Sequence, residues 1–189
     1  MECLRAPGEP QGNVRGAGPP GRAAGARAPG RRLRRPRPLW HRRGPVTALV
    51  LHYRKTSRYG LNVLLAAVEQ DPRTRALPAA AAFGLAAAVA AARSALEAGR
   101  RPVVGWSFLT ASLAEVTAEL TAFRAALPDP RVLHLAGGPH PSAEPEGTLR
   151  AGFELAARGE GERTLPDLLA ALEVGTDPRA VPGLAWLEG

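Results

Sequence analysis

Short apolar runs alternate with longer amphipathic stretches along the chain from Val46 onwards. A short and almost uninterrupted apolar run is typical of a strand that is buried on both faces of a sheet. The runs predicted as strands are Val46–Tyr53, the middle of Leu77–Gly84, Arg101–Thr110, Arg131–Gly138 and the first part of Phe153–Glu162. The third and the fifth of these runs end in a loop.

The longer stretches have the period of amphipathic helices. The clearest is Ser112–Leu127, in which apolar side chains recur at steps of three and four residues. The other predicted helices are Ser57–Gln70, Leu85–Gly99, Glu144–Gly152 and Thr164–Gly175. Val181–Gly189 has the pattern of the first part of a further secondary-structure element, which does not continue.

The alternation of strands and helices predicts the fold class. Parallel neighbouring strands need a crossover connection, and helices then cover both faces of the sheet. We therefore predict a flavodoxin/Rossmann-like, doubly wound parallel sheet of about five strands in the order 2-1-3-4-5. The domain is predicted to span residues 46–176, and residues 177–189 are predicted to begin a linker towards an absent catalytic domain.

Three polar or glycine-rich loops follow the third, fourth and fifth predicted strands. They are Trp106–Ser112, Ala136–Glu144 and Ala157–Thr164. The carboxyl ends of parallel strands share one edge of the sheet, where ligands bind in open α/β folds. Glycine lets a ligand approach the backbone, and the following helix offers unpaired N–H groups. This pattern favours a ligand with a polar or anionic part, but the motifs that would identify a nucleotide are missing.

The positive charge of the chain is concentrated in its N-terminal part. Residues 1–45 hold eleven of the 25 basic residues and two acidic ones, a net charge of +9. Residues 46–189 hold fourteen basic and fifteen acidic residues, a net charge of −1. We predict that the Arg-, Pro- and Gly-rich residues 1–45 form a disordered tail, because they have no apolar period from which a core could be built.

Cysteine content and the lengths of the apolar runs exclude several kinds of site and of targeting segment. The one cysteine, Cys3, allows neither a disulfide within the chain nor a cysteine-based metal site. No uncharged apolar run reaches the roughly eighteen residues of a membrane span, and the N-terminus lacks the pattern of a secretory signal. The sequence therefore predicts a cytoplasmic protein with no membrane partner.

Two glycine-containing stretches resemble a known family. GGPHPSAEPEGTL from Gly137 and GFELAARGEGERTLPDLL from Gly152 are similar to the cobalamin-binding domain that precedes the catalytic barrel in cobalamin-dependent radical S-adenosylmethionine (SAM) proteins. The S-x-L mark of such domains corresponds to Ser107-Phe108-Leu109, and their GG mark to Gly137-Gly138. The resemblance implies that these residues line a slot for the nucleotide tail of cobalamin, while the corrin ring lies across the strand ends.

The resemblance also implies which residues contact the cofactor. Those predicted to bind cobalamin are Ser107, Phe108, Leu109, Thr110, Gly137, Gly138, Pro139, His140, Gly159, Glu160, Gly161 and Glu162. A third mark of these domains, D-x-H-x-x-G, is absent from the loop His52–Asn62, which implies that no protein histidine ligates the cobalt. We predict no catalytic and no metal-ligating residue.

Alternatives remain open for individual side chains. His140 could contact cobalamin or brace its loop through a hydrogen bond. Glu160 and Glu162 could form a polar rim, a docking surface for the barrel or an acid–base pair. His52 and His134 lie in strand patterns, and we interpret both as packed histidines.

Catalysis by this chain alone is not expected. The iron–sulfur cluster of the family needs three cysteines in a C-x-x-x-C-x-x-C run, and Cys3 alone cannot provide it. The resemblance therefore implies a cobalamin-binding module whose barrel is a separate chain, unless the gene product is truncated. Two other hypotheses remain: a stand-alone nucleotide or nucleotide-sugar enzyme on a Rossmann-like sheet, and nucleic-acid binding through the basic tail.

Overall fold

A computed structural model describes residues 47–54 and 58–188 of the chain. The strands are β1 (Thr47–Tyr53), β2 (Ala79–Phe83), β3 (Arg101–Ser107), β4 (Leu133–Gly137), β5 (Leu155–Ala157) and β6 (Leu184–Ala185). They form one sheet in the order β2-β1-β3-β4-β5-β6. Because β1 to β5 pair in parallel, the predicted fold class and strand order are confirmed.

The sixth strand is the part of the sheet that the sequence does not predict. β6 pairs antiparallel with β5, with Leu184 opposite Ala157. A strand this short leaves no readable signal, because a period cannot be established from two positions. The sheet therefore includes two residues from the stretch predicted to begin a linker, while the domain limits 46–176 stay a prediction.

Six α-helices lie within the described residues. They are α1 (Arg58–Gln70), α2 (Leu85–Glu97), α3 (Leu113–Ala126), α4 (Pro139–Ala143), α5 (Pro145–Arg150) and α6 (Gly161–Val174). Helix α4 lies where the sequence predicts a loop, and α6 begins earlier than the predicted start at Thr164. Consequently Pro139, His140, Gly161 and Glu162 lie in first helical turns rather than in loops.

Helices cover both faces of the sheet and create two separate cores. Successive side chains of a strand point to opposite faces. Leu49 and Leu51 pack with apolar side chains of α1 and α6, whereas Val50 and Trp106 pack with those of α2 and α3. We refer to these as the α1–α6 face and the α2–α3 face.

Two further predictions concern the N-terminal tail and the absence of a membrane span. The predicted disordered tail, residues 1–45, lies outside the described residues, and so does Cys3. Among the helices that the structure describes, none combines the length and the apolar character needed to cross a bilayer.

Candidate functional site: a slot between the sheet and two helices

A cavity of about 220 Å³ opens at the carboxyl edge of the sheet on the α1–α6 face. Strands β1, β3, β4 and β5 form its floor, and helices α1 and α6 form its walls. We name it the slot. Its lining residues are Leu51, Gly60, Leu61, Leu64, Gly105, Trp106, Ser107, Leu135, Gly137, Gly138, Ala157, Gly159, Glu160, Gly161, Glu162 and Leu165.

The slot exists because small residues occupy this part of the sheet. Gly105 lies between Leu51 and Leu135 in the pairing of β1, β3 and β4, and these three positions form the deep row. Ser107, which lies two residues nearer to the carboxyl edge than Gly105, pairs with Gly137. Because Gly137 carries no side chain, the volume above it stays open, whereas the Leu51 side chain covers Gly105, with Cδ2 2.9 Å from the position of a Cβ built on this glycine.

The walls of the slot are apolar side chains from two helices. Leu61 and Leu64 come from α1, and Leu165 comes from α6. The two helices approach closely, because a Cβ built on Gly161 would lie 2.8 Å from Leu64 Cδ2. A side chain at position 161 would therefore force Leu64 to move.

Polar side chains of the lining lie at the mouth of the slot. Glu160 and Glu162 flank Gly161 at the start of α6, and both are exposed. Ser107, the last residue of β3, is half-buried. At depth, by contrast, Leu51 is 1% and Leu135 is 5% exposed. The slot is therefore apolar inside and polar at its rim.

The loops after β3 and β4 are joined by backbone hydrogen bonds beside the slot. Phe108 N donates to Gly137 O at 3.2 Å, and His140 N donates to Phe108 O at 3.3 Å. Gly138 has φ 95°, and a Cβ built on it would lie 2.9 Å from Ser107 Oγ and 3.2 Å from Phe108 N. Both the backbone conformation and the close approach restrict this position to glycine.

The structure brings seven of the twelve predicted site residues to the slot. These are Ser107, Gly137, Gly138, Gly159, Glu160, Gly161 and Glu162. The other five, which do not line it, are Phe108, Leu109, Thr110, Pro139 and His140. Phe108 belongs to the core of the α2–α3 face, whereas Leu109 is exposed at the same edge of the sheet as the slot.

His140 links the two loops. Its Nδ1 lies 3.1 Å from Thr110 Oγ1, and its ring centroid lies 5.6 Å from that of Phe108. Of the two roles left open by the sequence, the hydrogen bond that braces the loop is present in the structure. A contact between His140 and a cofactor stays a prediction.

Nine of the lining residues are not among the twelve that the sequence predicts to bind cobalamin. They are Leu51, Gly60, Leu61, Leu64, Gly105, Trp106, Leu135, Ala157 and Leu165. One signal was available: Gly105 interrupts a buried strand two residues before Ser107, so both lie on one face, and glycine within a strand marks a close approach. The leucines carry no such signal, because in a sequence a cavity-lining leucine is indistinguishable from a core leucine.

The three histidines of the described part lie away from the slot. His52 and His134 belong to the α2–α3 face, with ring centroids 4.4 and 5.9 Å from Trp106. Trp106 Nε1 donates to His134 Nδ1 at 3.2 Å, so this nitrogen carries no proton. Burial, followed by the charge of Arg124, lowers the pKa of His134 to about 3. Burial, followed by Arg54, lowers the pKa of His52 to about 4.

Arg54 belongs to the loop His52–Asn62, which lacks the D-x-H-x-x-G mark, and it is anchored to α3. Arg54 forms ion pairs with Glu115 and, at 3.3 Å, with Glu119. Residues 55–57 lie outside the described residues, and the chain then enters α1, where Gly60 lines the slot. The loop is thus tied to the α2–α3 side at one end and contributes to the slot at the other.

Stability is expected to fall as the pH drops below 6.5, because of His52 and His134. The unfolded chain protonates both imidazoles at their ordinary pKa of 6.5, whereas the folded chain does so only near pH 4 and pH 3. Each histidine contributes a slope of up to about 1.4 kcal/mol per pH unit to the free energy of unfolding. Burial raises the pKa of Glu119 and Glu154, so these carboxyls bind protons more readily in the folded chain, which offsets part of the loss.

Urea denaturation between about pH 7.5 and pH 5.5 measures this dependence. In this range Asp129, whose pKa is lowered mainly by its hydrogen bond to Arg131, stays ionised in both states. His52→Leu should remove about half of the slope, since both ring nitrogens of His52 lack a hydrogen-bond partner. A slope that is the same in this variant and in the parent chain would show that His52 is not the cause.

Solved structures with a similar fold include two radical SAM enzymes. One is the radical S-adenosylmethionine methyltransferase TsrM from Kitasatospora setae, with 19% identity and a TM-score of 0.58 over 75% of this chain and 28% of that chain. The other is the cobalamin-dependent S-adenosylmethionine radical enzyme OxsB with aqua-cobalamin bound. It has 14% identity and a TM-score of 0.56 over 76% of this chain and 21% of that chain. This chain thus spans less than a third of either enzyme, and the likeness concerns the fold.

A comparison with curated proteins finds no match. A family model described as "B12 binding domain" matches residues 53–169. The matched range covers more than half of the chain and includes the whole slot lining except Leu51. The chain therefore belongs to the B12-binding domain family.

Proposed function

We propose that this chain holds cobalamin at the carboxyl edge of its sheet, with the nucleotide tail of the cofactor in the slot. The observation that carries the proposal is the slot itself, an apolar cavity with a polar rim between the sheet, α1 and α6. Membership of the B12-binding domain family supports it. OxsB, which is similar in fold over this region, has aqua-cobalamin bound.

The slot fits a flat aromatic base in size and in chemistry. An apolar protein cavity of about 150 Å³ accommodates benzene, so one of about 220 Å³ has room for a larger, two-ring base. Gly137 leaves the end of β4 open to contact with one face of such a base, and deeper in the slot the Leu51 side chain, which covers Gly105, offers an apolar contact. Leucine side chains of α1 and α6 are placed to cover the other face.

Exposed apolar side chains at the same edge support a large ligand outside the slot. Phe83 is the last residue of β2 and is 66% exposed, and Leu109, which follows β3, is 48% exposed. Tyr59, near the start of α1, is 90% exposed. A corrin ring that lies across the strand ends would cover apolar surface of this kind. The Ser107 hydroxyl and the first N–H groups of α6 would then bind polar parts of the tail.

We further propose that the chain acts as the cofactor-holding module of a radical SAM system and does no chemistry alone. Cobalamin supplies the cobalt chemistry, and the protein supplies binding and orientation. The single cysteine of this sequence cannot provide the three thiolates of the iron–sulfur cluster, so the barrel would be supplied from outside residues 1–189. A cytoplasmic location stays our expectation from the sequence.

Visible absorption spectroscopy tests cobalamin binding directly. The full chain is incubated with hydroxocobalamin, desalted, and its spectrum recorded, with free cobalamin passed over the same column as a control. Retention of close to one equivalent of cobalamin per chain would support the proposal. A colourless protein that is folded by circular dichroism would contradict binding by this chain alone.

Bound cobalamin is expected to have no nitrogen ligand from residues 47–54 and 58–188, the part of the chain that the structure describes. His52 and His134 lie on the opposite face of the sheet, His140 is buried against Phe108, and a base held in the slot is detached from the cobalt. After reduction to the Co(II) state, the electron paramagnetic resonance spectrum should lack nitrogen splitting. A spectrum with nitrogen splitting would mean that a histidine or the base remains on the cobalt. His140→Ala would then show whether His140 is the ligand.

A further inference from the structure

The interior of the slot offers no polar side chain to a ligand. Its deep side chains Leu51, Leu61, Leu135 and Leu165 have neither donors nor acceptors. Within residues 47–54 and 58–188, no buried side-chain polar atom that lacks a partner belongs to the slot lining. Beneath the leucines, the backbone groups of β1, β3 and β4 are engaged in the parallel ladders.

We propose that the slot selects corrinoids whose nucleotide base is a benzimidazole over corrinoids whose base is a purine. This inference rests on the proposed function, because it assumes that the nucleotide tail enters the slot. The six-membered ring of a benzimidazole presents only C–H or methyl groups. The six-membered ring of adenine presents two ring nitrogens and carries an amino group. Against leucine side chains these polar groups would lose water without gaining a partner.

The polar rim cannot satisfy the groups that distinguish the two bases. Ribose is attached to the five-membered ring and leads back out through the mouth, so the six-membered ring of either base lies deepest. Ser107, Glu160 and Glu162 lie at the mouth, where they are half-buried or exposed. They are therefore placed to contact the ribose and phosphate rather than the far edge of the base.

The expected discrimination is large enough to measure. A single polar group that is buried without a partner weakens binding by about tenfold or more. Adenine would bring more than one such group into the slot. We therefore expect the benzimidazole form to bind at least about tenfold more tightly than the adenine form.

The test compares three corrinoids on the full chain: cobalamin, its analogue with an adenine base, and cobinamide, which lacks the nucleotide. All three are titrated in their dicyano forms, in which cyanide occupies the lower position of the cobalt. The base is then free in both nucleotide-containing forms, and its different affinity for cobalt does not enter the comparison. Dissociation constants are obtained by equilibrium dialysis with absorbance detection.

The outcomes distinguish a failure of the selectivity from a failure of the proposed function. The inference expects cobalamin to bind most tightly, with the adenine analogue at least about tenfold weaker. Equal binding of the two nucleotide forms, both tighter than cobinamide, would overturn the selectivity and leave cobalamin binding intact. Equal binding of all three would show that the slot is not used. Failure of all three to bind would overturn the proposed function and the inference with it.

A variant of the slot wall provides a second test. Leu64 is a half-buried helical residue of the lining, and Leu64→Gln adds a donor and an acceptor beside the base. We expect this variant to reduce the preference for cobalamin over the adenine analogue. Val63→Gln is the matched control, because the neighbouring Val63 is 48% exposed and does not line the slot. An unchanged preference in Leu64→Gln would contradict the proposed recognition by an apolar wall.

Discussion

Replacement of Gly137 by leucine is expected to abolish the retention of cobalamin without disturbing the fold. Gly137 is not among the glycines with positive φ, and a Cβ built on it would lie 3.9 Å from Ala157 Cβ, an ordinary contact. The added side chain would extend into the slot and occupy the space of the base. Loss of the apolar burial of the base costs about 3 kcal/mol, or roughly a hundredfold in affinity.

The measurement is cobalamin absorbance after desalting, together with the urea midpoint of the variant. Gly147→Leu is a matched control, since Gly147 is exposed in α5 and a Cβ built there meets nothing within 4 Å. This control should retain cobalamin like the parent chain. If Gly137→Leu also retained cobalamin while Gly147→Leu did so normally, the nucleotide tail would not be bound in the slot.

The sequence predicts the parallel part of the fold because its signals are local and repeated. Each of β1, β3 and β4 is an apolar run that ends in a polar or glycine-rich loop, and α3 has an uninterrupted helical period. The antiparallel β6 escapes prediction because its two residues are too few to show a period. The early start of α6 is missed because glycine and glutamates before Thr164 read as a loop.

The site is predictable only in part, because some of its residues have local sequence signals and others are selected only by packing. Gly137, Gly138 and the residues around Gly161 are recognisable, since glycine at a strand end or before a helix has a local meaning. The walls depend on which side chains of α1 and α6 face the small residues of β3 and β4. That choice is made by packing over long sequence distances, so leucines such as Leu61 and Leu165 cannot be identified from the sequence.

Gly138→Ala is expected to be strongly destabilising, which would make it unsuitable as a binding test. Gly138 has φ 95° and ψ −171°, a region that is nearly restricted to glycine and costs other residues about 1 to 3 kcal/mol. The new Cβ would also lie 2.9 Å from Ser107 Oγ and 3.2 Å from both Phe108 N and Phe108 O. Overpacking of this kind adds about 1 to 3 kcal/mol, so the total is a large part of a typical stability of about 5 to 15 kcal/mol.

Gly84→Ala separates the two causes of this loss. Gly84 has φ 82° and ψ 168°, also between a strand and a helix, but a Cβ built on it meets nothing within 4 Å. Urea denaturation should therefore show a loss of unfolding free energy in both variants. The loss in Gly84→Ala comes from backbone strain alone, and the loss in Gly138→Ala is larger because close contact adds to the strain. Ser107→Gly, introduced together with Gly138→Ala, should recover part of the difference by removing the hydroxyl. Equal losses in the two single variants would mean that the loops after β3 and β4 can separate, and that their close approach does not hold the edge of the slot in place.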